Sequence, residues 1–189
     1  MNTLINIRLL GSALLLAIAP TLTATADTAT DRFGFKGIAL GSNLAHLASN
    51  PKYDCRVVTT PISDTVCSLH AREKETIAGA SIDSVFYFYD PTGLTGITIN
   101  LPETGFQPVI TALSQKYGTP SLKTETVKNL KGKTYENRTY RWTRPQATLH
   151  AERYAGRIDK SVIRYVDETA AQRNQERRAT LKKNPGQDL

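Results

Sequence analysis

The stretch "SIDSVFYFYDPTGLTGITINL", Ser81–Leu101, decides the fold. Its first ten residues are dense in β-branched and aromatic side chains, which suit the pleated, half-covered surface of a strand. Asp90-Pro91-Thr92-Gly93 combines residues that favour a tight turn. The return run alternates Leu94, Gly96, Thr98 and Asn100 against Thr95, Ile97, Ile99 and Leu101, and reads as a hairpin partner with one apolar face. Such a face needs a second layer to cover it.

That layer follows directly. In "ETGFQPVITALSQKYGTP" (103–120), Phe106, Val109, Ile110, Leu113 and Tyr117 recur at helical spacing. The spacing predicts an amphipathic helix over 106–117, stopped by Gly118 with Pro120 just beyond. Downstream, "SLKTETVKNL", "TYENRTYRWTR", "ATLHAERY" and "SVIRYVD" read as four strands separated by "KGK", Pro145-Gln146 and "AGRIDK". Upstream, Ser42 or Asn43 can cap a helix with Leu44, Leu47 and Ala48 on its apolar face, ended by Asn50-Pro51. "CRVVTTPISDTVC" (55–67) reads as strand, turn and returning strand, and "REKETIAGA" as a loop or ragged strand extension.

The expected fold class is therefore α+β. One helix followed by four strands occurs twice: a helix near 42–49 with strands near 53–59, 65–70, 82–89 and 94–101, then a helix near 106–117 with strands near 121–130, 134–143, 147–154 and 161–167. Residues 27–167 are expected to form one domain of two tandem pseudo-repeats (about 33–103 and 104–167) with antiparallel sheet, able to join edge to edge into eight strands. Residues 168–189 have high helix propensity but only Ala170, Ala171, Ala179 and Leu181 as apolar members of the helical run. They read as a polar helical or disordered tail.

Residues 1–26 read as a signal peptide. Arg8 precedes the apolar run "LLGSALLLAIA" (9–19), Pro20 breaks it, and Ala24-Thr25-Ala26 offers a small-x-small cleavage site. Eleven apolar residues fall short of the ~20 that span a bilayer, so the expectation is a periplasmic or secreted protein with no transmembrane span after cleavage. Cys55 and Cys67 are the only cysteines. Their spacing fits neither a redox C-x-x-C nor a zinc pair, and the oxidising space outside the cytoplasm favours a disulfide over two buried free thiols. The bridge would close a loop of about 13 residues, worth roughly 3 kcal/mol in the chain-entropy picture.

With "GIALGSNLAHL" leading into a cysteine hairpin, and helix plus four strands used twice, the chain resembles the β-lactamase-inhibitor-protein fold. It is also similar to the single-unit version in small envelope proteins of the BamE/SmpA type. Gly37, Ile38, Gly41, Ser42 and Leu47 match the glycine turn and helix of those families, although Ser42 follows Gly41 where they carry Met. The second unit has no cysteines and no such turn. The resemblance covers about 130 residues and implies a sheet surface that binds another protein.

No sequence motif for catalysis, phosphate binding or metal ligation is present, and His46, His70 and His150 share no local motif with a carboxylate or cysteine. We therefore expect no enzyme, no cofactor and no metal. Charge is more informative. Residues 27–115 carry six Lys and Arg against nine Asp and Glu, whereas 116–164 carry twelve against four. A one-sided positive field draws an acidic surface, and export argues against nucleic acid. A bland alternative is that scattered lysines only keep the sheet soluble. Within the basic half, alternation in "YENRTYRWTR" puts Arg138, Tyr140, Trp142 and Arg144 on one face and Tyr135, Asn137, Thr139 and Arg141 on the other. Tyr135, Arg138, Tyr140, Arg141, Trp142 and Arg144 are the candidate binding residues, because Trp, Tyr and Arg dominate binding hot spots. The competing reading has Tyr140 and Trp142 in the core. The function expected is that of a non-enzymatic exported protein that binds a partner protein with an acidic surface in the cell envelope, as an inhibitor or accessory subunit. The alternative is a small periplasmic enzyme or ligand carrier using a cleft between the two units.

Overall fold

A computed structural model of the chain describes residues 32–129 and 131–183, with side chains through Thr180. The expected signal peptide lies outside the described residues, as do residues 184–189. Two short pairs, β1 (Gly34–Phe35) with β2 (Ile38–Ala39) and β5 (Thr76–Ile77) with β6 (Ala80–Ser81), flank one large antiparallel sheet. Its eight strands are β3 (Tyr53–Thr60), β4 (Ser63–Leu69), β7 (Ser84–Asp90), β8 (Gly93–Pro102), β9 (Ser121–Lys128), β10 (Thr134–Arg144), β11 (Ala147–Glu152) and β12 (Lys160–Asp167). Their order across the sheet is β3-β4-β7-β8-β12-β11-β10-β9. The first four strands thus form a meander, the last four a second meander in reverse, and β8 pairs with β12 at the centre. The α+β class is as expected.

The central hairpin forms as read, with one difference. Phe88 pairs Gly96 while Tyr89 pairs Leu94, so Thr95 is an extra residue in β8. The Thr95 hydroxyl donates to the Phe88 carbonyl at 3.0 Å. This bulge moves Leu94 onto the face of Ile97, Ile99 and Leu101, where all four are buried, and corrects the strict alternation expected there. Gly93, at φ +121°, also brings the turn within reach of the Gly41 carbonyl, where a Cβ would sit 2.8 Å from that oxygen.

Helix α2 (Phe106–Tyr117) covers the apolar face. Phe106, Val109, Ile110 and Leu113 are buried on it, each worth about 1.5–3 kcal/mol of transfer free energy. Beneath lie Val85, Tyr87, Ile97, Ile99, Leu149, Ile163 and Tyr165. The Tyr117 hydroxyl donates to the Gly34 carbonyl and its ring meets Phe33 edge-on, pinning the N-terminal pair to the helix. The first helix is much shorter than expected. Helix α1 (Ala45–Ala48) is a single turn begun by the Asn43 side chain, whose Oδ1 accepts from Ala45 N at 2.9 Å. Leu47 is its only buried residue. One buried residue cannot sustain further turns when most helical stability comes from an apolar face.

The tail is helical over α3 (Glu168–Lys183), and the domain itself receives it. Asp167 Oδ1 accepts from Ala170 N at 2.8 Å, and Ala170 is buried. Arg173 donates to Asp90 at 2.9 Å and to Thr92 at 3.0 Å, and Asn174 donates to the Ile62 carbonyl at 3.3 Å. A polar helix with almost no apolar face is thus held by ionic and hydrogen-bonded struts. Among the described residues no helix is long and apolar enough to cross a membrane.

Burial alone would push the Asp90 carboxyl up, but the Thr92 hydroxyl, Arg173 and the Thr92 amide together hold it below the ordinary carboxylate range. A depressed carboxylate pKa stabilises the fold above about pH 4, and the contribution is lost as pH falls through the folded value. Asp90→Asn is therefore expected to cost about 1.5–3 kcal/mol at neutral pH and to flatten the acid limb of the stability curve. Urea titrations of both proteins at pH 7 and pH 3 check it; an unchanged difference between the two proteins would contradict the strut.

Candidate functional site

The sheet has one face under α2 and, among the described residues, one without a covering layer except where α3 crosses its end. Cross-strand partners share a face, so the register gives the side chains of the uncovered face directly. One row crosses all eight strands: Asp54, Ser68, Phe86, Thr98, Arg164, His150, Arg141 and Ser121, each paired with the next. Directly opposed side chains of this kind have Cβ atoms about 4.5–5.5 Å apart. Arg164, His150 and Arg141 therefore stand side by side on β12, β11 and β10. Lys123 lies one row away, opposite Thr139. Toward the other edge, Val66, Phe86 and Phe88 are half-buried on the same face.

Arg141 and Arg164 are exposed and His150 is half-buried. Arg164 reaches Glu152 at 3.5 Å. His150 Nε2 lies 3.0 Å from Thr148 Oγ1, and the Thr148 hydroxyl donates to Glu168 at the start of α3. The threonine has one proton and gives it to the carboxylate, so Nε2–H must donate to Oγ1. The relay thus fixes the ring orientation. Burial pushes the imidazole pKa down, and Arg141 and Arg164 push it the same way, against the opposing pull of Glu168. The imidazole is accordingly neutral at pH 7, and a negative group placed on the row would favour its protonation.

The six candidate residues of β10 do not form one surface. Trp142 is 3% exposed, and its indole Nε1 donates to the Gly118 carbonyl at 2.7 Å. Tyr140 packs between Trp142 and Phe106 on the same side. Arg138 shares that face and pairs with Glu136 at 2.7 Å, while Arg144 lies over the Phe33 ring at 5.7 Å. Tyr140 and Trp142 therefore belong to the core side, and no exposed tryptophan is available for docking. Tyr135 and Arg141 point to the uncovered face, where Tyr135 meets Tyr154 edge-on. Of the six, Arg141 alone joins the basic row. His150 and Arg164 carry no signal within any single strand, because the row runs across three. His46 lies on α1 and His70 just after β4, both exposed.

Cys55 and Cys67 are bonded across the β3–β4 pair. A cavity of about 620 Å³ opens between the β9–β10 and β11–β12 turns, lined among others by Tyr154, Glu152, Ile158 and the buried amide of Asn137. It lies wholly within the second meander, not in a cleft between the two.

Comparison with protein-family models, with curated proteins and with solved structures finds no match to this chain.

Proposed function

We propose that the protein is an exported, non-enzymatic binding protein of the cell envelope, periplasmic or secreted, whose uncovered sheet face receives an acidic surface of a partner protein. The observation that carries this reading is the alignment of Arg164, His150 and Arg141 on three adjacent strands. The two guanidinium groups flank the neutral His150, and Arg141 and Arg164 both disfavour a positive charge on it. Glu152 reaches only Arg164 among them. A carboxylate-bearing partner would supply the missing counter-charge, and the adjoining Phe86 and Phe88 offer apolar area for an anchor. The disulfide supports export. The mirrored strand order supports reading the sheet as two pseudo-repeats of the β-lactamase-inhibitor-protein type, the first with a helix reduced to one turn.

The test is capture from envelope extract of the native host with wild type, Arg141→Glu/Arg164→Glu, and a charge-matched control, Arg138→Glu/Arg178→Glu, on surfaces outside the row. The expected result is a partner recovered by wild type and control and lost, by about tenfold or more, from the first variant. Equal recovery of every protein by all three would refute the docking face.

A second reading, a carrier of a small polar ligand, has one observation in its favour. Asn137, 1% exposed beside the cavity, makes only long contacts through its amide nitrogen, at 3.4 and 3.5 Å. Its Oδ1 accepts from Tyr154 N at 2.9 Å.

A further inference from the structure

The sheet ends on β9, an edge strand that pairs with β10 in unbroken register from Ser121 to Lys128 and is exposed along nearly its whole length. Such an edge presents a row of backbone donors and acceptors ready to pair with another strand. The opposite edge differs: β3 loses register with β4 between Val57 and Thr60, and irregularities of that kind bend an edge away from pairing. On β9, Lys123 and Glu125 point to the uncovered face and lie 3.1 Å apart. A lysine in the middle of an edge ordinarily repels a second strand.

One arrangement removes that repulsion. Two copies paired antiparallel about a twofold axis must keep each face continuous, so residue i can oppose only residues of the same parity. Centring the axis on Lys123 opposes two lysines, and centring it on Glu125 opposes two glutamates. Centring it on Thr124 opposes Lys123 with Glu125 twice, Thr124 with Thr124, and Leu122, otherwise 54% exposed, with Thr126. The four charges then form a square of alternating sign, in which each carboxylate lies between its own lysine and that of the other copy.

We propose that β9 is a self-association edge: two copies of this chain pair β9 to β9, centred on Thr124, and continue the sheet across the dimer with both basic rows on one side. The charge pattern makes the edge selective for a second copy in this register, and the inference is independent of the acidic partner proposed above.

Sedimentation equilibrium of the mature protein tests it. Wild type is expected to dimerise. Lys123→Glu and Glu125→Lys alone should each weaken dimerisation by about tenfold or more, since each places like charges opposite one another. Mixed in equal amounts, the two variants should form a heterodimer, because one then brings only carboxylates to the two positions and the other only ammonium groups. The double variant should regain the homodimer. Both positions are exposed, and circular dichroism verifies that each variant is folded; successful mixing verifies it again. A monomeric wild type would overturn the proposal. So would a dimer that survives both single variants, or single variants that fail to complement. Arg141→Glu/Arg164→Glu should remain dimeric, which separates a failure of this edge from a failure of the docking face.

Discussion

Trp142→Ala is expected to lower the unfolding free energy by about 3–5 kcal/mol, the usual cost of deleting a large buried aromatic. The indole is 3% exposed, stacks against Tyr140 at 6.4 Å, and stands opposite Leu149 on β11. It also ties down the helix above it. Gly118 ends α2 at φ +87°, a conformation costly for residues with a Cβ, and its carbonyl accepts the indole N–H at 2.7 Å. Alanine removes the packing and the tether together. Trp142→Phe retains most of the packing and should cost only about 1–2 kcal/mol, since Gly118 is exposed and water can replace the lost donor. This is the only tryptophan, so the denaturation curves must be followed by circular dichroism. A cost below about 1 kcal/mol for alanine would show that the indole is not part of the core.

The second large effect is expected from the disulfide. Replacing both Cys55 and Cys67 by alanine should lower stability by about 2–4 kcal/mol, the range for a loop of this size. Adding reductant to the wild type should produce a similar loss. Cys67 is fully buried on the α2 side of β4, next to Tyr87, while Cys55 lies on the edge strand. β3 is hydrogen-bonded on one side only and loses register after Val57. Without the bridge it should be the first strand to open. Hydrogen exchange at 53–60 should accelerate well before that at β8 and β12. Uniform acceleration over the whole sheet would mean that the bridge supports the fold globally, not this edge.

What could be read from the sequence was what local periodicity encodes. The central hairpin, α2 with its glycine stop, the four strands after it and the cysteine ribbon all follow from spacing within about 20 residues. The two-residue turn at Pro145-Gln146 even specifies that Arg141 faces His150, because a tight hairpin sets its own register. Three features lay beyond such reading. The bulge at Thr95 displaces Leu94 by one position, and only the pairing with β7 reveals it. Helix α1 has helical spacing but too little to bury. The docking of α3 depends on Asp90 and Ile62, 83 and 112 residues away from their partners, and nothing in a polar helix announces such distant anchors. The place of Arg164 in the basic row depends likewise on the exact length of the β11–β12 loop.

The pairing of β8 with β12 has a consequence for how the chain matures. These middle strands are separated by helix α2 and three further strands, so the seam between the meanders closes only after the last strand has been made. Closing so long a loop carries a large entropic cost before any contact rewards it. Until then the first meander leaves the backbone of β8 unpaired along one edge, with Ile97 and Ile99 on its core face still lacking their neighbours Tyr165 and Ile163. A chain emerging amino-terminus first would spend that interval vulnerable to mispairing along that edge.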